Sequence, residues 1–195
     1  MQSKQHMEAF VADLLQARLP PFYYYHNYEH SLYVMEKAVE IGEQENCTTS
    51  EIELLKAAAL WHDAGYVKTY INHEEEGCVL ARKHLPDFGF SADDINTICG
   101  MIMATKVPQS PKNKLEEIIA DADLEYLGTA DAGTKADLFF KELHHLNPSL
   151  TKSDWDKTQV SFLQKHQYFT RYCKENKETV KQDYLKELLK RQPFS

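Results

Sequence analysis

Glycine and proline are scarce, seven of each in 195 residues, too little turn punctuation for a many-stranded sheet. Basic residues are outnumbered, 22 Lys and Arg against 30 Asp and Glu, giving a formal net charge of -8. That balance argues against a protein that grips nucleic acid by neutralising phosphates over a broad face. It leaves room for a small anionic substrate, because a bound metal ion dominates the field close to it. The four cysteines, Cys47, Cys78, Cys99 and Cys173, are dispersed with no Cys-x-x-Cys pair, which argues against a zinc ribbon or dithiol redox motif and fits a reducing cytosol. No run approaches the ~18 apolar residues of a membrane span. The opening MQSKQHMEAFVADLL lacks the apolar block of a signal peptide. The expectation is a cytoplasmic protein with neither membrane nor nucleic acid as partner.

What is present fits a helical globule. Apolar residues make up 43% and charged residues 27%, ordinary for a chain that buries a core. The length suits one domain. Met7, Phe10, Val11 and Leu14 make one apolar stripe, stopped at Leu19-Pro20-Pro21 because proline lacks a donor and restricts its predecessor. A second helix carries His30, Val34, Ala38 and Ile41, with Gly42 near its end. Thr48-Thr49-Ser50 offers cap hydroxyls to a third, in which Ile52, Leu55, Ala59 and His62 share a face. Its Ala57 to Trp61 run makes it central. A fourth is expected over Glu74 to His84 and a fifth after Ser91. Residues 106–114 read as a loop, and a sixth helix carries Leu115, Ile118, Ile119, Ala122 and Tyr126. Three or four amphipathic helices follow Ala130. The fold class is all-α, a single domain over residues 1–195 with a site-bearing core over about 22–130 and a helical extension over about 131–195.

The chemistry lies where polar residues interrupt apolar faces. His62 ends the stripe of Ile52, Leu55 and Ala59, beside Asp63. Asp121 and Asp123 flank Ala122 directly after Ile118-Ile119-Ala120, and His30 continues the stripe of Val34 and Ala38. Burying a lone carboxylate costs several kcal/mol or more, unless a partner or metal compensates. Several such interruptions on separate helices point to convergence on one cation. Imidazole and carboxylate donors together suit Mn, Fe, Co, Ni or Zn better than Ca, with Mg admissible. An ion held this way acidifies bound water and polarises a phosphoryl oxygen, so phosphate-ester hydrolysis is the natural reaction class.

Three segments together resemble the HD superfamily of metal-dependent phosphohydrolases, in a small bacterial branch. Tyr25-His26-Asn27-Tyr28-Glu29-His30-Ser31 is similar to its first-ligand helix, Ala58-Ala59-Leu60-Trp61-His62-Asp63-Ala64-Gly65 to its His-Asp doublet, and Ala120-Asp121-Ala122-Asp123-Leu124-Glu125 to its closing segment. The resemblance implies an all-α hydrolase in which His30, His62, Asp63 and Asp121 hold a divalent transition metal, with Asp123 as a supporting or catalytic residue. Two-metal members add histidines after the doublet. His73 resembles the first of these, but the next place reads Met103-Ala104-Thr105-Lys106, so one ion is expected.

His26 and Glu74 join Asp123 as candidate catalytic residues for moving protons. Lys68, Thr105, Lys106 and His73 are candidates for binding the substrate, a small phosphorylated metabolite or nucleotide. Each has a plainer reading. His26 could cap a helix, Glu74 with Glu75 and Glu76 could form an acidic first turn that the helix dipole favours, and Lys68 could be a surface charge. His144-His145 reads as structural or solvated, since adjacent helix residues point apart. The alternatives to a hydrolase are a metal- or nucleotide-binding sensor without turnover and an iron-dependent oxygenase on the same scaffold. A homodimer stays open.

Overall fold

The structure, a computed structural model, describes residues 5–191. Residues 1–4, part of the segment inspected for a signal peptide, lie outside the described residues. Ten α-helices and no strand are found among the described residues. They run α1 Gln5–Arg18, α2 Tyr28–Gln44, α3 Thr49–Trp61, α4 His73–His84, α5 Ala92–Ala104, α6 Lys114–Asp123, α7 Ala132–Leu146, α8 Lys152–Lys165, α9 Arg171–Asn176 and α10 Glu178–Arg191. Three short 3-10 turns, Ala64–Val67, Leu85–Phe88 and Glu125–Gly128, redirect the chain after α3, α4 and α6.

The helix starts follow from local chemistry. Thr48 accepts from the Glu51 amide while the Glu51 carboxylate receives the Thr48 amide, and Ser91 and Asp94 repeat this reciprocal arrangement at α5. Each satisfies two amides that a helix start leaves without a partner. Leu55 and the whole run Ala57 to Trp61 are buried. This makes α3 the central helix, packed against α2, α5 and α6.

Two apolar clusters result. The larger joins α1 to α6 and takes in Tyr168 and Cys173 from the C-terminal part. The second unites Tyr25, from the loop before α2, with Leu124, Tyr126 and Leu127 and with side chains of α7, α8 and α10. Gly128 permits that junction: a Cβ there would lie 2.7 Å from the Lys177 carbonyl oxygen, so only glycine lets the chain ahead of α10 approach so closely.

The sixth helix is shorter than its apolar stripe suggests. It ends at Asp123, and Tyr126 sits in the following 3-10 turn. Tyr168 lies beyond the end of α8, in the segment leading to α9.

Candidate metal centre and cavity

Each site residue is held by its own helix terminus. Asn27 caps α2: its Oδ1 accepts from the His30 amide at 3.1 Å and its side-chain amide donates to the Tyr24 carbonyl at 3.1 Å. His30 thereby enters in the first turn of α2. His62 follows the last residue of α3, where its Nδ1–H donates to the Ala59 carbonyl at 2.7 Å. That bond fixes the tautomer and leaves Nε2 as a bare donor atom for a cation.

Asp63 starts the 3-10 turn, and Gly65 brings the start of α4 against it. A Cβ at Gly65 would lie 1.8 Å from the His73 carbonyl oxygen. Only glycine fits there, and the close approach sets His73 and Glu74 beside Asp63. Asn72, at φ 58°, turns the chain into α4 through the left-handed conformation that asparagine tolerates better than most residues.

These elements bring His30, His62, Asp63 and Asp123 together. His30 Nε2 lies 3.1 Å from Asp123 Oδ1 and 3.5 Å from Asp63 Oδ2. His62 Nε2 lies 3.2 Å from Asp63 Oδ2 and 3.6 Å from Asp123 Oδ1. His30, His62 and Asp123 each offer an atom within 4.8 Å of the others. His62 Nε2 and Asp63 Oδ2, although close, are not aligned to hydrogen-bond and are buried without a partner. Two orphaned buried donor atoms facing one point fit a divalent cation and are costly without one.

The electrostatics agree. Burial opposes charge on all four groups, and it pulls His30 below the ordinary imidazole value. At His62 burial is the largest single effect, but the Asp63 and Asp123 carboxylates together overcome it and raise the imidazole well above its ordinary value. Asp63 is correspondingly held well below the carboxylate range by His62, and Asp123 by His30 and His62, both against burial. Two buried carboxylates that favour positive charge on the adjacent imidazole mark a place where positive charge is stabilised.

Asp121 is not part of this cluster. Its carboxylate accepts from the Phe169 amide at 2.9 Å and from the Thr170 amide and hydroxyl at 2.8 and 2.7 Å. It braces the segment entering α9 and lies outside the group of His30, His62 and Asp123. The reason is helical geometry: two residues apart means ~200° around the axis, so of the pair flanking Ala122 only one can face the histidines. That one is Asp123.

The remaining candidates divide. His73 Nε2 lies 3.4 Å from Asp63 Oδ1 and 3.6 Å from Glu74 Oε1, with its ring stacked on Tyr66 at 3.8 Å. Asp63, Asp123, His26, His73, Glu74, Thr105 and Lys106 all line a cavity of about 520 Å³. The Thr105 hydroxyl donates to the Ile102 carbonyl at 2.8 Å, and the Lys106 ammonium is shared by Asn72 and Glu75. Lys68 is exposed and outside the cavity lining. It sits at the far end of the 3-10 turn, as a solvated lysine beyond a helix end.

Glu142 escaped the sequence reading. Fully buried on α7, it accepts from His26 Nδ1 at 2.6 Å and from the Tyr25 and His26 amides at 3.0 and 3.1 Å. The signal existed, because Glu142 interrupts the inward face formed by Ala136, Phe139 and Leu143, as His62 interrupts that of α3.

A family model described as HD domain matches residues 27–125, more than half of the chain. The chain belongs to the HD-domain family. Two solved structures share the fold. Bacillus subtilis YpgQ, solved in complex with ADP, is 20% identical, with a TM-score of 0.67 over 97% of this chain and 95% of that one. A protein described as a predicted HD superfamily hydrolase, from an uncultured Thermotogales bacterium, is 20% identical, with a TM-score of 0.62 over 95% and 90%. Both alignments extend through the helices beyond the matched HD region. Among curated proteins none matches this chain. HD membership implies a divalent metal, and His30, His62 and Asp123 form a group able to hold one. No helix among the described residues is long and apolar enough to cross a membrane.

Proposed function

We propose that this HD-domain protein is a cytoplasmic metal-dependent phosphohydrolase acting on a phosphate ester of a small metabolite or nucleotide. Its ligands to one transition ion (Mn, Fe, Co, Ni or Zn) are His30, His62, Asp63 and Asp123. The observation that carries this reading is the pair of orphaned buried atoms, His62 Nε2 and Asp63 Oδ2, among converging imidazoles and carboxylates, beside a cavity of about 520 Å³. The ADP bound by YpgQ supports a small phosphorylated ligand.

A divalent ion at such a site supplies charge neutralisation for the phosphoryl oxygens and acidifies a water for attack. The protein's own groups do the rest. His62 is locked in one tautomer by the Ala59 carbonyl, so it presents the same atom throughout. His26, oriented by Glu142, is the proton donor for the leaving oxygen; a fixed carboxylate on Nδ1 holds the direction of the imidazole. Glu74 is buried and lines the cavity next to His73, and is the candidate acceptor of the attacking water's proton. The C-terminal helices and the HD core act as one unit, because α7 completes the site through Glu142.

The test is phosphate or alcohol release from a panel of phosphate esters by protein loaded in turn with each of the five metals. Turnover that disappears in His62→Ala and Asp123→Ala is the expected result. Metal-loaded protein that turns over nothing across a broad panel contradicts the reading and favours a sensor.

A further inference from the structure

The cavity has one lobe that the metal centre does not use. Rings lead from the centre into it: Tyr25 lies 4.6 Å from His30, Phe139 stacks on Tyr25 at 5.2 Å, and Trp155 meets Phe139 edge-on at 5.2 Å. Leu143, Phe162 and Leu163 of α7 and α8 continue the lining beside them. Polar groups in this lobe are already engaged. The Gln159 carbonyl oxygen accepts from the Tyr184 hydroxyl at 2.8 Å, and the Thr158 hydroxyl donates to the Asp154 carbonyl at 2.9 Å. Trp155 Nε1 is buried out of reach of the cavity.

Charge narrows the ligand further. Among the described residues Lys106 is the one lysine or arginine lining the cavity, and its ammonium is held by Glu75 and Asn72. Asp63, Glu74 and Asp123 line the same space. A polyphosphate chain would meet more carboxylates than cations, whereas a single phosphoryl group can be served by the metal alone.

Resting on the phosphohydrolase reading, we infer that the substrate is a phosphomonoester whose alcohol is aromatic or aliphatic, with that apolar group housed in the lobe of Tyr25, Phe139, Leu143, Trp155 and Phe162. A lobe of this kind rewards apolar area, and its Gln159 oxygen and Thr158 hydroxyl, already bonded within the protein, offer little to sugar hydroxyls.

Trp155 makes occupancy visible, since the chain has only one other tryptophan, Trp61, buried in the core. Metal-loaded protein is titrated with methyl, butyl, octyl and phenyl phosphate and with dAMP and dATP. Tryptophan fluorescence gives binding, and phosphate release gives turnover. Affinity is expected to rise roughly tenfold or more from methyl to octyl phosphate. The fluorescence change should vanish in Trp155→Phe, and the chain-length gain should shrink in Leu143→Gln and Phe162→Ala, each checked for fold by circular dichroism. Equal affinity along the series, or dATP binding tighter than every apolar ester, overturns the inference. Long esters that bind but are never hydrolysed uphold the lobe and sink the phosphohydrolase reading. Methyl phosphate turnover without a chain-length effect does the reverse.

Discussion

Glu142 and His26 are 116 positions apart in sequence, yet the carboxylate of the first receives the Nδ1–H of the second at 2.6 Å. The other Glu142 oxygen accepts the amides of Tyr25 and His26. The C-terminal helices therefore do more than cover the HD core: α7 fixes a side chain that lines the same cavity as Asp63.

Replacing this carboxylate tests that role. Glu142→Gln should lower kcat by roughly 10- to 100-fold while KM changes little, as expected when an orienting partner of a proton carrier is lost. Glu142→Asp should recover part of the loss. An unchanged kcat in folded Glu142→Gln protein would show that His26 needs no such support.

Asp121→Asn should cost stability rather than chemistry. Asp121 accepts three hydrogen bonds from Phe169 and Thr170. Asparagine has a single acceptor oxygen, so urea unfolding should show a loss of about 1–3 kcal/mol. Turnover per folded molecule should stay within a few-fold of the wild type.

His166 gives the protein a pH-dependent weakness outside the centre. Burial and the Lys181 ammonium, 3.2 Å from Nδ1, depress its pKa to about 4, against a smaller opposing effect of Glu178. The unfolded chain, with an ordinary imidazole near 6.5, therefore binds the proton first as pH falls. The stabilising contribution of neutral His166 is complete above about pH 6.5 and is lost as pH drops towards 4. Between pH 7.5 and 4.5, wild type should lose up to about 2–3 kcal/mol more than His166→Gln in urea unfolding. Parallel losses in the two proteins would contradict this.

Much of the fold is legible because its signals are local. The Thr48 and Ser91 caps, the proline stop after α1 and the alanine-rich face of α3 each lie within a few residues of the element they specify. The doublet His62-Asp63 is legible for the same reason, since the stripe of Ile52, Leu55 and Ala59 aims it inward. Asp121 and Asp123 show the limit. Both follow the same apolar run, and what separates them is the partner across the gap, the Phe169 and Thr170 amides for one and the imidazoles for the other. Glu125 repeats the lesson, being buried against Lys177 and Tyr33. Partners 48 to 116 residues distant leave no trace in a local spacing pattern.

The most direct test of the account is the metal content of Asp123→Asn beside Asp121→Asn, each purified and reconstituted like the wild type and measured by elemental analysis. The account predicts about one transition-metal equivalent per chain in the wild type and in Asp121→Asn, and a clear loss in Asp123→Asn. Metal lost from Asp121→Asn and retained in Asp123→Asn would contradict it.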